Sequence, residues 1–508
     1  MERSPMQTEW DIIVVGSGNA AMSAAIAARE QGRRVLIIEK AGPDLAGGNT
    51  AYTAGAMRFV YEGKNDLLPL LEDPHDPRLA RTEFGAYTAE RFAADLLGFN
   101  DGRPLSREQQ TLIAESYDAV RWLASKGVKF EPIYARQSYE KDGRFVFWGG
   151  LTLATRDEGL GLVQAERAAF KALGGEIRFG CAAEDLIVED GRVCGVRTHA
   201  AAGEAGTIRA RAVILGCGGF ESNPELRAEL IGPGWEDAKV RGTPHNRGDG
   251  LAMAFRLGAR RHGFYGGCHA TPMDLYTPPY GNLALPHLER KHYRKICYFL
   301  GVMINAEGRR FVDEGRDFRN YTYAQFGRAI MEQPKHIAWQ IFDSKVDSLL
   351  YSEYRFHDAH YVESDTLDRL IDKLDGLNNK EQARATLAAF NAAVDESVQF
   401  NPTAKDGRGT KGLDLPKSNW AQTLDTPPFK AYPVTGGITF TYGGLEVDEA
   451  GAVIAENGAP IPGLYACGEI VGGVFFNGYP GGSGLTSGVV FGRRAGAGAA
   501  AQTGRGAP

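Results

Sequence analysis

The chain has 508 residues with 43% hydrophobic and 24% charged side chains, ordinary globular values and more chain than one core needs, so two or more domains are expected. A net charge of −6 counts against a partner held by phosphate neutralisation, and therefore against a nucleic-acid binder. The six cysteines are scattered with no CxxC pair, which argues against structural zinc, an iron–sulfur cluster or a disulfide framework, leaves no metal site to expect and fits a reducing cytoplasm.

Met1 to Trp10 is polar and mixed in charge, and the apolar run behind it is too short for a signal segment. No apolar run reaches the roughly 18 residues a membrane span requires. Ile12-Ile13-Val14-Val15 and Val35-Leu36-Ile37-Ile38-Glu39 read as two buried strands, with a helical pattern through Met22, Ala25, Ile26 and Arg29 between them. This is a βαβ unit, the start of an α/β, Rossmann-like domain. Gly16 provides the tight turn, Gly18 lets a pyrophosphate approach the backbone N–H groups where Asn19 and Ala20 open the helix, and Ala21 stands where a third glycine is often found. Glu39, followed by Lys40, lies where a ribose hydroxyl needs an acceptor. These residues predict a dinucleotide site.

The small-residue run Ala46 to Ala56 cannot build a core. It can lie flat against a large ligand, with Gly48, Gly55 and Ala56 giving close approach and Asn49, Thr50 and Thr53 giving hydrogen bonds. Ser106 to Gly127 reads as a helix with Ser106 as N-cap and Gln109 at N3, and Gly161 to Leu173 as another. Strands are expected at Glu176–Phe179, Glu184–Val188 and Val193–His199, with Asp190-Gly191 as a hairpin turn and Ala183 counted with the cofactor residues. Arg211 to Leu215 is a further buried strand whose trailing glycines, Gly218 among them, face the ligand crevice.

From about His269 prolines, aromatics and basic residues become frequent, and helical patterns recur around Tyr323–Gln333 and Asp365–Gln399. This texture predicts an inserted second domain. The glycine-rich style resumes near Thr435, with a strand at Leu464–Cys467, then Gly468-Glu469, then a small-residue helix from Leu485 to Ala500. The last residues, Ala500 to Pro508, look like a frayed tail.

The blocks Gly16–Ala21 with Glu39, Gly47-Gly48-Asn49-Thr50, Gly248-Asp249-Gly250, Asn305 to Glu314 and Pro462 to Glu469 together resemble the flavoproteins of the fumarate reductase and succinate dehydrogenase superfamily. Within it, Met57-Arg58-Phe59-Val60-Tyr61, Arg241-Gly242-Thr243, Gly267 to Ala270, Asp317 to Ala324 and Asn477 to Gly484 look like the tricarballylate dehydrogenases. The resemblance implies a GR2-type FAD-binding domain built from residues 1–266 and 437–508, an inserted α+β capping domain over residues 267–436, and an active site where the two meet. It implies that Glu469 holds the ribityl chain, that Asp249 holds another part of FAD, and that Ser483 and Leu485 lie near the isoalloxazine. No histidine stands in the Gly47–Ala56 loop, so the flavin is expected to be non-covalent.

Carried over residue by residue, His269 matches a substrate-carboxylate histidine, and Arg319 is the nearest match to the proton-shuttle arginine, with Arg316 as the other candidate. A second substrate histidine is replaced by the region of Phe440, and a substrate-clamping arginine by Tyr479. Those departures count against fumarate or succinate as substrate, and a Tyr-Pro-Gly motif also occurs in ketosteroid dehydrogenases.

The chemistry expected is removal of hydrogen across a C–C bond next to a carboxylate or ketone, with a base taking the α-proton. A tricarboxylate needs several cations, for which Arg58, Arg241, Arg316 and Arg319 are the candidates; Arg309, Arg310 and the basic cluster from Arg290 to Lys295 read more readily as a solvated face. A second dinucleotide fingerprint is missing, so a quinone or a redox partner protein, in the tricarballylate family a membrane protein, is the expected electron acceptor. Three readings stand: conversion of tricarballylate to cis-aconitate, dehydrogenation of a cyclic ketone or steroid (or a fumarate reductase-like enoate reduction), and a flavin carrier without a substrate.

Overall fold

The computed structural model describes residues 10–200 and 203–504; the N-terminal stretch before Trp10 and the end of the expected tail lie outside them. Two compact units emerge. The first comprises residues 1–231, 243–268 and 440–508, the second residues 232–242 and 269–439. Residues 232–242, which the sequence grouped with the first unit, belong to the second because Lys239–Val240 pairs in parallel with Gly437–Ile438.

In the first unit, strand Trp10–Val15 lies between two parallel neighbours, Val35–Glu39 on one side and the end of Ala205–Leu215 on the other. Glu176–Phe179 extends one edge and Pro460–Ala466 the other, again in parallel. Strands such as Ile12–Val15 and Val35–Ile38 are buried along their whole length, as expected of a sheet covered on both faces. The Ala205–Leu215 strand starts earlier than its apolar pattern suggests. Its first three residues are exposed and its first half pairs antiparallel with Arg192–Ala200, so only its second half carries the continuous apolar run. Arg192–Ala200 in turn forms a hairpin with Cys181–Glu189, closed by Asp190 (φ 50°) and Gly191 (φ 74°), both in the left-handed region a tight hairpin turn demands.

Helix Asn19–Glu30 packs on the C-terminal helix Ser483–Gly504, and glycines make that possible. A Cβ at Gly492 would stand 2.5 Å from the Ala20 carbonyl oxygen, and one at Gly496 would stand 2.2 Å from that of Ala24. The helix runs through Ala500, which is buried, so the expected fraying does not begin there. Helix Arg107–Ser125 carries the capping box read from its sequence: the Ser106 hydroxyl accepts from Gln109 N–H (3.0 Å) and the Gln109 side chain accepts from Ser106 N–H (3.1 Å).

The second unit is built on an antiparallel ladder of Val302–Asn305, Ala338–Phe342 and the long strand Phe429–Thr441, whose last two residues fall in the first unit. Helices Leu367–Asp372 and Lys380–Ala393 cover it through Leu370, Ile371, Leu387 and Phe390, which meet Ile304, Trp339 and Ile341. These are two helices where one long pattern was expected, and Phe429–Thr441 went unread because Pro433 and two glycines interrupt its pattern. Two other basic groupings need correction. Arg294 and Lys295 are buried, Arg294 pairing with Glu353 (2.6 Å) and Lys295 lying 3.8 Å from Asp274; Arg310 pairs with Glu314 at 2.5 Å. They are internal counter-ions because a buried carboxylate must be paired.

Candidate active site

A cavity in the first unit opens at the C-terminal ends of the parallel strands, where helix Asn19–Glu30 begins. Gly16 (φ 103°) turns the chain so closely past the neighbouring strand that a Cβ would stand 2.6 Å from the Gly216 carbonyl oxygen. Gly18 has no side chain to cap the helix; Asn19 N–H donates to Thr50 Oγ1 (3.0 Å), and the N-terminal dipole end lies at the cavity. Of the residues expected to hold a cofactor, Gly16, Gly18, Asn19, Ala20, Glu39, Lys40, Gly48, Asn49, Thr50, Ala183, Gly218, Asp249 and Glu469 line this cavity.

Five others do not reach its wall. Thr53 turns back to donate to the Thr50 carbonyl, and Ala56 pairs with Ala154. Gly55 is packed so tightly that a Cβ would stand 2.2 Å from Thr155 Oγ1. The Ser483 hydroxyl donates to the Pro480 carbonyl, while Leu485 offers its carbonyl to the Asn19 side chain (2.8 Å). Sequence reasoning missed Ser17, Cys217, Thr243, His245, Asn246 and Cys467, which also line the cavity. Ser17 sits inside the glycine turn and could have been found; the others are brought in by distant loops.

Glu39 is buried, with one carboxylate oxygen accepting from Ser17 Oγ (2.6 Å) and the other from Ala41 N–H (2.8 Å), which leaves lone pairs for further hydroxyl donors. Lys40 and Asp249 form an ion pair at 2.7 Å on the partly exposed rim. Burial lowers the pKa of His245 and pushes the Cys217 thiol up to about 12, so neither is charged at neutral pH. Two polar atoms on this wall, Asn19 Oδ1 and His245 Nε2, are buried and have no hydrogen-bond partner among the described residues. A buried polar atom left unpaired costs about 1–3 kcal/mol, so polar atoms of this wall favour a polar occupant over an apolar one. The helix N-terminus, the glycine turn and the Glu39 carboxylate suit the diphosphate and ribose of FAD.

A profile of the FAD binding domain family matches residues 11–485. The chain belongs to that family. This flavoprotein is 26% identical over 539 residues to an NADH:acrylate oxidoreductase of Vibrio harveyi, covering 96% of this chain but only 50% of that protein. Against the 3-oxosteroid 1-dehydrogenase of Mycobacterium tuberculosis (strain ATCC 25618 / H37Rv) it is 27% identical over 555 residues, 93% of this chain and 95% of the other. The solved structure of a flavocytochrome c3 fumarate reductase in its open conformation matches with a TM-score of 0.71 at 25% identity, covering 98% of this chain and 79% of that one. The flavoprotein thus spans half the length of the Vibrio relative, and FAD is its cofactor.

Beyond the cavity, the first unit carries an aromatic cluster. The Tyr479 ring meets Phe440 and Phe475 edge-on, each at 5.3 Å, and Tyr442 lies 5.3 Å from Phe440. A Cβ at Gly484, in the first turn of the C-terminal helix, would stand 3.7 Å from the Phe440 ring. Arg58 is wholly buried below the Tyr479 turn: its Nε donates to the Gly481 carbonyl (2.8 Å) and its Nη1 to that of Gly149 (2.7 Å), with Asp95 at 3.4 Å. These contacts make it a clamp on the turn.

In the second unit, His269 is buried in strand Cys268–Asp274, and its ring meets Tyr323 edge-on at 5.0 Å. Burial first, and then the positive charge of Arg241, hold the His269 pKa well below the ordinary value, so the imidazole is neutral. Arg241 is buried and donates to Thr439 Oγ1 (3.3 Å). Arg319 is the first residue of helix Arg319–Met331, which begins about one turn before the Tyr323 start expected. Its Nε donates to the Tyr351 hydroxyl (2.8 Å), and its guanidinium lies 4.9 Å from the centre of that ring. Burial opposes its charge, but Tyr351, Cys297 and Glu353 together outweigh it, so the net pKa shift is upward. Asp313 and Glu314 are engaged by Ser418 and Arg310. Arg316 is exposed, donates to Gln325 (2.5 Å) and lies over Phe326. Among the described residues there is no grouping of side chains fit to hold a metal ion, and no helix long and apolar enough to cross a membrane.

Proposed function

We propose that the chain is an FAD-dependent oxidoreductase that interconverts single and double C–C bonds next to a carboxylate or ketone, with the first unit holding the cofactor and the second recognising the substrate. When bound, FAD supplies the two-electron hydride exchange. The residues of the chain do the rest. Arg319 supports this reading most directly: its guanidinium is partly buried, keeps its charge and is oriented by Tyr351. Such a group stabilises the negative charge that develops on the substrate and hands over, or takes back, the proton at the α-carbon. Neutral His269 and charged Arg241 offer a hydrogen bond and a cation to the substrate oxygens. Arg58 acts from behind by holding the turn that presents Tyr479. Arg316 is the weaker candidate because it is exposed and already bound to Gln325.

For the substrate we propose tricarballylate, interconverted with cis-aconitate, on the sequence resemblance and on Arg241 and Arg319. A second reading, dehydrogenation of a cyclic ketone, is favoured by the aromatic cluster of Phe440, Tyr442, Phe475 and Tyr479, which presents flat apolar area where a clamping arginine was expected. The flavin would be non-covalent, and a quinone or redox partner protein would take the electrons. Anaerobic mixing decides: tricarballylate, succinate and a cyclic ketone are added in turn while flavin absorbance is followed. Bleaching by tricarballylate is the expected result. Bleaching by the ketone alone would replace the first reading with the second, and bleaching by none would leave a flavin carrier.

A further inference from the structure

Behind the cofactor cavity lies a carboxyl group that no part of the mechanism uses. Glu221 follows Gly218-Gly219-Phe220 after the Ala205–Leu215 strand and is completely buried. Its Oε1 accepts from Asn49 Nδ2 (2.7 Å) and from Asn246 Nδ2 (2.6 Å). The side chain of Glu469 meets its carboxyl from the C-terminal segment. Around this point three loops converge. Asn49 Oδ1 accepts from Thr243 N–H (2.9 Å), the Ser222 hydroxyl donates to the Thr243 carbonyl (2.6 Å), and Ser222 N–H donates to the Asn246 carbonyl (2.9 Å). Glu469 Oε1 accepts from Thr441 N–H (2.8 Å). Asn49, Thr243, Asn246 and Glu469 all line the cavity, whereas Glu221 does not. Two glycines make room for this packing: a Cβ at Gly218 would stand 2.3 Å from Asn246 Nδ2, and one at Gly219 2.3 Å from Glu469 Oε1.

We infer that Glu221 is a positioning residue for FAD, which shares a single proton with Glu469 and thereby ties three cavity loops into one wall. Two carboxylates in contact cannot both ionise, so one proton is held between them, and that proton gives the pair its only donor. Burial first, and for Glu221 then the neighbouring charge of Glu469, raises the proton affinity of both. The neighbours are uncharged amides and a hydroxyl: Asn49, Asn246 and Thr441. The other ionisable groups of the wall are Glu39, Lys40, Asp249, His245, Cys181, Cys217 and Cys467. His245 titrates below its ordinary value and Cys217 near 12, whereas burial shifts the acid pair upward from the ordinary carboxylate range.

The sign follows. A carboxyl whose pKa is raised by folding stabilises its surroundings at low pH, and the contribution fades as pH rises through the raised value. Release of FAD from the holoprotein, followed by flavin fluorescence from about pH 6 to about pH 9, should therefore increase with pH. Glu221→Gln keeps both acceptor bonds from the asparagines and gives Glu469 a donor that cannot ionise. Its FAD affinity should stay within about twofold of wild type near neutrality, and the alkaline loss should disappear. Glu221→Ala should weaken FAD binding by about tenfold or more, since it removes the acceptor shared by the Asn49 and Asn246 amides. An alkaline loss in Glu221→Gln equal to that of wild type would overturn the proposal, even if Glu221→Ala fails to fold. A pH-independent wild type would overturn it equally. A purely structural Glu221 would lower affinity in the variants without changing the pH profile.

Discussion

Arg319 and His269 illustrate how one unit keeps a cation charged and an imidazole neutral. Arg319 has a planar donor set that holds the Tyr351 hydroxyl at 2.8 Å and stacks on the same ring. Lysine has neither the Nε–H nor the plane, so Arg319→Lys should retain FAD, measured by its absorbance, while turnover falls by orders of magnitude. Near-normal turnover would remove Arg319 from the chemistry. His269 behaves differently. Its pKa is lowered on folding, so the unfolded chain binds the extra proton first, and stability present above about pH 6.5 is lost as the solution becomes more acidic. His269→Asn should therefore flatten the acid side of the stability profile in urea melts recorded at several pH values. An unchanged acid slope would show that other groups carry it.

Between neighbouring elements, the small residues of the C-terminal helix permit contacts that larger ones would block. Gly492 and Gly496 lie one turn apart and allow the backbone of Asn19–Glu30 to approach, and that helix opens at the cofactor cavity. Gly492→Val would put a Cβ 2.5 Å from the Ala20 carbonyl oxygen and add two methyl groups beyond it, and overpacking of this kind costs about 1–3 kcal/mol. The expected outcome is a lower melting temperature together with weaker FAD binding, since the displaced helix carries Asn19 and Ala20. Loss of stability with unchanged FAD affinity would separate packing from the site. Helix Arg107–Ser125 supplies a control: Ser106→Ala removes the capping bond to Gln109, should cost about 1 kcal/mol in urea unfolding and should leave FAD binding unaltered.

Across the chain as a whole, the cofactor is part of the stability of the first unit. The helix N-terminus and the Glu39 carboxylate stand at the cavity, where a bound ligand would meet them. A ligand that binds only the folded state stabilises it by about 2.7 kcal/mol at a hundredfold excess over its Kd. Added FAD should therefore raise the melting temperature of the apoprotein in a concentration-dependent way in a calorimetric scan. A transition that ignores FAD would mean that this cavity is not its site.

Local chemistry made much of this legible in the chain itself. A glycine turn between an apolar run and a helical pattern, an acid closing the next strand, an N-cap serine with glutamine three residues on, and Asp-Gly between two β runs are each set by contacts within a few residues or by backbone sterics. They stand in the structure at Gly16–Gly18, Glu39, Ser106–Gln109 and Asp190-Gly191. Partnerships over long separations were decided by folding alone. Arg294 and Lys295 look like a solvated face until Glu353 and Asp274 are brought beside them. Arg58 reads as a substrate cation until the Gly481 carbonyl takes its Nε–H, and Glu221 carries no local pattern at all. Whether a charge is free to meet a ligand depends on which buried group already claims it, and that is often settled by residues far away in the chain.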